Sequence, residues 1–570
     1  MYRKSLKERW LTSLCIGAAF GLTFFFFSVL QSYAANQSKF LFALKDFILP
    51  VIGLTLLAVV LPAAIILFTG PKLGKFAAAF FLGLTTMGYA QAAFLNRTHS
   101  LAGDDPSAFA LERSNRLFNA AIWAAAALLF LAAVLFVKNR ETLRTAAIIL
   151  CAAVIGMQAA GTVTSFLKAR NSGGDKEYYL TTEGMTEVSP EKNIIVIILD
   201  RFDTMYYDQA VKEDPEIFAP LTGFTYYNDN ISTYSRTYPG AASIVAGLRG
   251  FKGGADLWQA QGGAEHFLSG VYENSSFIKD LQANEYRIKL YMPGYYSYRS
   301  GKALQDSIGA YNIAKADAYH ITDRGELVKN MLRLSLYKAL PRRLKPYVAV
   351  STDSFNKIVA YDGATLFEMD DVSICAQFRE NRITTDGSKG NYIYLHMGGC
   401  HDPYQMNENQ ERDWNGTMMG QLRGDLKMIY DWFDQLKQLG VYKDATIVIT
   451  GDHPWAHNDS ILPAEPRLTA LFVKRAGAEN EPLAYSSAQV WQDNLAASLI
   501  KSAGLKKTTM QDYGRAYWEI PEDEKPERWH YFEWDHDGGT QFYGYAVVGP
   551  GNDFNNWLPQ GGIKIDDLYK

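Results

Sequence analysis

Thr237 opens the stretch TYPGAASIVAG, where a strand-like run, GFTYYNDN, gives way to a short apolar helical pattern. Pro239 fits only near a helix start, where its missing N–H costs nothing, and Gly247 sits at the stop position. A hydroxyl at such a corner has free backbone N–H groups around it, a setting suited to anions. Elsewhere apolar runs end abruptly in polar residues: NIIVIILD closes on Asp200, and ATIVITGDH on Asp452 and His453. Two carboxylates, an imidazole and a hydroxyl make a four-ligand set for one divalent cation. Such a cation would favour the alkoxide of Thr237, and the helix start would hold the phosphate that the alkoxide attacks. Thr237 is therefore read as a nucleophile, and Asp200, Thr237, Asp452 and His453 as metal ligands.

The elements that must position these residues follow from the pattern. NIIVIILD, NYIYLHM and ATIVITGDH are continuous apolar runs rich in β-branched and aromatic residues, as buried parallel strands are. YRIKLYM and RLTALFVK read as further strands. Helical patterns lie between them, in SSFIKDLQAN, GQLRGDLKMIYDWFDQLKQLG and SAQVWQDNLAASLIKSAG. The alternation predicts a doubly wound α/β domain with a mostly parallel sheet, whose functional residues collect beyond the strand carboxyl ends. From Asp512 the tail changes character, and RWHYFEWDHDGG with TQFYGYAVVG predicts a hairpin closing a sheet edge.

The chain has 570 residues and a formal net charge of −4, so no basic field suggests nucleic acid. Five apolar stretches precede residue 170: Leu11–Tyr33, Phe47–Thr69, Phe76–Leu95, Leu117–Val137 and Leu143–Leu167. Each approaches the roughly 20 residues that span a bilayer. Arg3, Lys4, Lys7 and Arg9 before the first stretch place the N-terminus in the cytoplasm, so an odd number of spans delivers the rest outside. The predicted organisation is a five-span α-helical membrane domain (1–169), a polar linker (170–192), an extracytoplasmic catalytic domain (193–511) and a β-rich extension of it (512–570). Of four cysteines, only Cys375 and Cys400 lie in the polar part, and the sequence leaves open whether they pair.

The soluble part resembles the alkaline phosphatase and sulfatase superfamily. The layout of five spans followed by a catalytic domain resembles the lipoteichoic acid synthase family. Sulfatases carry C-x-P-S-R-x-x-L-x-T-G, and T-Y-P-G-A-A-S-I-V-A-G runs in the same register, with Thr237 on the cysteine, Pro239 on the proline and Gly247 on the last glycine. The acidic ligand falls on Asp200, the Asp-His pair on Asp452 and His453, and the active-site histidine on His401 of CHDPY. Threonine cannot give the aldehyde that sulfatases use, but it is the nucleophile of the synthases and of phosphoethanolamine transferases. Ala241 replaces the sulfatase arginine, Asp200 stands where the synthases usually have glutamate, and Pro454 replaces a glycine.

The resemblance implies a multi-pass cell-membrane phosphotransferase with an extracytoplasmic site and one divalent ion. Manganese is the expected ion, with zinc or magnesium as alternatives. The implied donor is a phospholipid such as phosphatidylglycerol, and the implied acceptor a cell-envelope polymer or glycan. Phosphoethanolamine transfer and sulfatase-like hydrolysis are the alternatives. His401 is expected to bind phosphate or protonate the leaving alkoxide; Arg236 and Arg201 adjoin key residues and are candidates to pair with phosphate, with Arg236 taken as the substrate-binding one, although strand neighbours point to opposite faces. Asp203 reads as a helix cap, His396 as a structural histidine, His457 as a loop residue, and Asp535 and His536 as solvated hairpin charges.

Overall fold

The computed structural model describes residues 2–37, 40–70, 72–96, 113–172, 178–248, 271–273, 275–292, 304–315, 318–351, 353–361, 364–454, 468–536 and 539–564. The chain divides into two compact units, Met1–Asp175 with Tyr319–Asp362, and Lys176–Ala318 with Gly363–Lys570.

In the first unit five helices are long and apolar enough to cross a membrane: Arg9–Ala35, Ile48–Phe68, Leu73–Leu95, Leu117–Phe136 and Arg140–Lys168, spans 1 to 5. Leu56, Leu57, Val60 and Leu61 on span 2 and Leu128 and Leu129 on span 4 are exposed. A helix apolar on its outward face is built for lipid rather than water. Polar side chains link the spans: Gln31 Nε2 donates to Thr162 Oγ1 and Gln158 Nε2 to Thr23 Oγ1. Span 1 carries a π-turn at Leu22–Phe27, which loosens its hydrogen-bond ladder. Ser335 fills in, its hydroxyl donating to Phe24 O at 2.6 Å.

Ser335 belongs to a helix, Arg324–Ala339, that lies within the 193–511 stretch of the sequence but packs with the spans. Nearby the Phe355 ring packs at a tilt against Phe40 and Phe42, with centroids 4.8 and 5.7 Å away. This excursion is amphipathic and short, so its pattern resembles that of any surface helix of the α/β domain.

The second unit is built on a seven-stranded sheet. Its strands are β1 (Lys192–Leu199), β2 (Phe224–Tyr227), β3 (Tyr286–Tyr291), β4 (Gly390–Met397), β5 (Thr446–Thr450), β6 (Leu471–Lys474) and β7 (Ala484–Ser486). Their order is β7-β2-β6-β5-β1-β4-β3. The sheet is mostly parallel, and only β6 runs against its neighbours. Central β1 buries both faces, as its unbroken apolar run requires: Ile194, Val196 and Ile198 join one core, and Ile195, Ile197 and Leu199 the other. Helix α1 (Thr204–Glu213) is capped by Asp203, as expected, its carboxylate accepting from Tyr206 N at 3.1 Å. Helix α2 (Thr237–Ala246) lies on the first core. Helix α3 (Met418–Gln438) lies on the second, burying Leu422, Ile429 and Trp432.

Three expectations change. Within 170–192, Tyr178–Leu180 and Glu187–Val188 are short strands, paired with Ile313–Lys315 and Thr384–Thr385, because Leu180 and Val188 are buried. In SAQVWQDNLAASLIKSAG only Asn494–Ala503 is helical, while Val490 and Trp491 pair with Asn230 and Ile231. The tail forms its own three-stranded sheet, β8 (Glu527–His536), β9 (Gly539–Val548) and β10 (Trp557–Lys564), rather than closing an edge of the main one. Arg528 anchors it: fully buried, its guanidinium donates to Asp229 Oδ1 at 2.7 Å and to three backbone carbonyls.

Candidate active site

Strand register brings the ligand set together. Met397 on β4 lies beside Leu199 on β1, and Thr450 on β5 lies beside Ile198. The chains that leave β1, β4 and β5 therefore emerge level, carrying Asp200, the Gly398–His401 loop and Asp452–His453. Asp200, Asp452 and His453 are buried and offer ligand atoms all within 4.8 Å of one another. Thr237 arrives from the first turn of α2, its Oγ1 3.1 Å from His453 Nε2 and 3.5 Å from Asp200 Oδ2. Arg236, half-buried, occupies the position that precedes the helix.

This donor set fits a divalent cation. Among the described residues Asp200 Oδ1 and Asp452 Oδ2 are buried without a hydrogen-bond partner, a costly arrangement unless something positive lies between them. His453 Nε2 is 3.6 Å from each of these two oxygens. Two ligands of one tetrahedral ion at about 2.1 Å stand about 3.4 Å apart, so the spacing suits a shared metal. His453 Nδ1 donates to Pro454 O at 2.8 Å, which turns the Nε2 lone pair toward the carboxylates.

His396 belongs to the same cluster. The strand pattern reads it as a satisfied structural histidine, but among the described residues Nδ1 alone has a partner, Tyr394 Oη at 3.1 Å. Its buried Nε2 makes no hydrogen bond of standard length and lies 3.7 Å from Asp200 Oδ2 and 4.0 Å from Asp452 Oδ2. Burial would raise the Asp200 carboxyl, but a polar contact with His396 and the charges of His453, His396 and His401 outweigh it and hold the group below the usual range. Burial likewise works against a charged His396, and the two carboxylates overcome it, so its affinity for a proton is raised.

The loop after β4 is clamped from below. Asp371, at the start of a helix over Asp371–Glu380, accepts from Gly398 N at 2.6 Å and from Gly399 N at 2.8 Å, and Gln421 Nε2 bridges Asp371 to Gly399 O. Gly399 has φ 52°, and a Cβ there would come within 2.7 Å of the Leu199 backbone. Burial pushes Asp371 up to about 6, and burial together with the neighbouring Asp371 charge pushes Asp425 well above the usual carboxylate range. The clamp carries His401, partly exposed, whose charge reaches Asp200. Arg201, left-handed at φ 58°, pairs with Asp402 at 2.7 Å, so the partner found for it is a carboxylate. Cys375 and Cys400 remain free buried thiols, both pushed well up by burial. His457 and the side chains of Asp535 and His536 lie outside the described residues.

The tail sheet fixes the approach to Thr237. Tyr531 N donates to Thr233 O at 2.8 Å, Ser235 N donates to Tyr531 O at 3.1 Å, and His530 Nδ1 donates to Ser232 O at 2.8 Å. On the other side, Gln492 Oε1 accepts from Thr233 N and Asp493 from the Thr233 hydroxyl. Gly240, in the first turn of α2, sits where a Cβ would be 3.0 Å from Asp452 O, which brings the helix start against the ligand loop. The candidate ligands at strand ends are visible in the sequence pattern, but these supports are not, because residues spread from Gln492 to Tyr531 meet only in the folded chain.

No family model matches the chain, and no curated protein matches it. Among solved structures it is similar to the lipoteichoic acid synthase LtaP from Listeria monocytogenes, at 13% identity over 67% of this chain and 89% of that one, with a TM-score of 0.34. It is also similar to the phosphonate monoester hydrolase SpPMH from Silicibacter pomeroyi, at 14% identity over 65% and 88% of the two chains, with a TM-score of 0.36. A third is an alkaline phosphatase superfamily protein from Vibrio parahaemolyticus, at 12% identity over 69% and 86%, with a TM-score of 0.35. Overlap of this extent leaves the chemistry to be read from the residues themselves.

Proposed function

We propose that the protein is a membrane-anchored, metal-dependent phosphotransferase that moves a phospholipid headgroup through a phosphothreonine-type intermediate to a hydroxyl of a cell-envelope polymer or glycan. The observation that carries this reading is the Thr237 hydroxyl at a helix start, 3.1 Å from His453 Nε2 and 3.5 Å from Asp200 Oδ2, beside carboxylate oxygens with no partner. Asp200, Thr237, Asp452 and His453 would hold the ion, which when bound supplies positive charge that eases loss of the Thr237 proton. Manganese is the ion expected.

The chain's own groups then have distinct tasks. Backbone N–H groups at the start of α2, with Arg236 beside them, orient the phosphodiester. Thr237 Oγ1, its proton gone to water, bonds to phosphorus, and the bond from phosphorus to the diacylglycerol oxygen breaks. His401 gives that oxygen a proton. In the second half, His401 takes the proton of the acceptor hydroxyl as it attacks phosphorus, and the Thr237 oxygen leaves. Phosphatidylglycerol is the donor proposed, with glycerol phosphate the group transferred, and a site outside the cytoplasmic membrane is the location proposed, a reading that the basic residues preceding span 1 support. Phosphoethanolamine transfer would use the same nucleophile. Incubation with a panel of headgroup-labelled phospholipids tests the reading: diacylglycerol release with headgroup transfer from one lipid supports it. Label released only to water would replace transfer with hydrolysis.

A further inference from the structure

A second polar site lies in the first unit, at the ends of spans 3 and 4. Gln91, fully buried near the end of span 3, accepts through Oε1 from Asn119 Nδ2 at 2.7 Å and from Trp123 Nε1 at 3.0 Å, both on span 4. Its own Nε2 donates to Asn96 Oδ1 at 2.8 Å. Onto this wall folds the excursion that contains Arg324–Ala339. Asn96 Nδ2 donates to Lys338 O at 2.6 Å, Arg342 N to Asn119 Oδ1 at 3.0 Å, and Lys345 Nζ to Asn96 Oδ1 at 2.7 Å. Buried polar groups at the level of a membrane are expensive and rarely idle.

Among the described residues the charges there do not balance. Lys338 is 8% exposed and Lys345 1%. Among the described residues no carboxylate pairs with either. Lys345 meets a neutral amide oxygen and the Tyr337 ring, 4.9 Å away, and the charges that bear on it, Arg342 and Lys338, are both positive. Burial, with those neighbours, pulls Lys345 down to about 7, and burial pulls Lys338 down to about 8. Two buried amines that meet no anion among the described residues are a standing cost when protonated, which one bound anion would lift. The surroundings say which kind. The cluster lies where spans 3 and 4 end, the level at which phospholipid phosphates sit, and Phe94, Leu117 and Phe118 beside it are exposed apolar surface. An inorganic ion has no use for that surface, whereas acyl chains do.

We propose that Lys338 and Lys345, with Arg342, bind the phosphate of a membrane phospholipid against the Gln91–Asn96–Asn119 wall. This site is separate from Thr237 and does not depend on the chemistry proposed there. The test uses the full chain carrying Thr237→Ala, so that no turnover consumes lipid, and phosphatidylglycerol as the probe. Native mass spectrometry after detergent exchange should show lipid retained, and Lys338→Met with Lys345→Met should weaken retention about tenfold or more, since two charge-assisted hydrogen bonds are lost. Methionine keeps the apolar stem, and Lys345→Gln alone, which is milder, should weaken retention in the same direction. Added phosphatidylglycerol should raise the melting temperature of the lysine protein and not that of the double variant. Equal retention by lysine and methionine proteins would overturn the site. So would stabilisation by inorganic phosphate as large as that by the lipid, which would make it a plain anion site.

Discussion

Nε2 of His396 stands 3.7 Å from Oδ2 of Asp200, and both residues are buried at the end of the central strands. The distance is too long for a strong hydrogen bond and short enough for the imidazole to steer the carboxylate. His396 thus lies against the candidate metal-binding carboxylates, while Thr237 and His453 approach them from α2 and from the loop after β5. Replacing it by alanine should lower metal affinity about tenfold to a hundredfold, as loss of a ligand's support does elsewhere. Calorimetric titration of the metal-free protein with Mn²⁺ checks this, and unchanged affinity would return His396 to a purely structural role.

Removal of a ligand carboxylate should have opposite effects on the two forms of the protein. Without metal, Asp452 and Asp200 are buried together, with Asp452 Oδ2 unpartnered, so Asp452→Asn should raise the melting temperature. With metal, the same change removes a ligand, and the gain from metal binding should largely vanish. Melting curves with and without a chelator separate the two signs. Full activity in the chelated protein would contradict the metal site.

Asp371 should leave a mark on the pH dependence of stability. Burial holds its folded-state carboxyl up at about 6. Below about pH 4 the folded and unfolded chains both carry this proton; between about pH 4 and 6 only the folded chain keeps it, so stability falls as pH rises through this window. Asp425 has its own affinity raised further and contributes the same slope. Asp371→Asn should therefore reduce the proton uptake by one, making the slope shallower by about 1.4 kcal/mol per pH unit across that window. Denaturant unfolding at pH 4, 5 and 6 measures the difference, and parallel curves for the two proteins would contradict it.

Much of the site was legible because parallel strands announce themselves. A buried strand is an unbroken apolar run, and its polar end marks a point beyond the sheet edge, so Asp200, Asp452 and His453 could be named from pattern alone. Thr237 was legible through the proline and glycine that frame its helix. What the pattern does not carry is contact between distant stretches. Asp371 lies at the start of an ordinary amphipathic helix, and only the fold places it under Gly398 and Gly399. His396 alternates correctly for a buried strand, which hides its approach to Asp200. The helix Arg324–Ala339 has the composition of a surface helix and packs instead on span 1, because Ser335 reaches the π-turn carbonyl there.

The orientation proposed for the spans rests on the basic residues that precede the first of them. A reporter fused after Arg170 should be active only outside the cytoplasm, and one fused after Arg140 only inside. The reverse pattern would put the α/β domain in the cytoplasm and remove the proposed donor and acceptor from its reach.

Thr237 is where the proposed chemistry becomes a covalent bond. Thr237→Ala should abolish turnover without unfolding the domain, because it removes a hydroxyl and a methyl group from a half-buried first helical residue whose side chain caps no backbone N–H. Thr237→Ser should retain some activity, and loss of His401 should slow formation and decay of the intermediate. The most direct measurement is the mass of the peptide spanning Tyr234–Arg249 after incubation with donor lipid and no acceptor. The expected result is a glycerol phosphate adduct on Thr237, absent from Thr237→Ala. A phosphoethanolamine adduct would keep the nucleophile and change the donor, while an unmodified peptide from a protein that still turns over the lipid would contradict the threonine intermediate altogether.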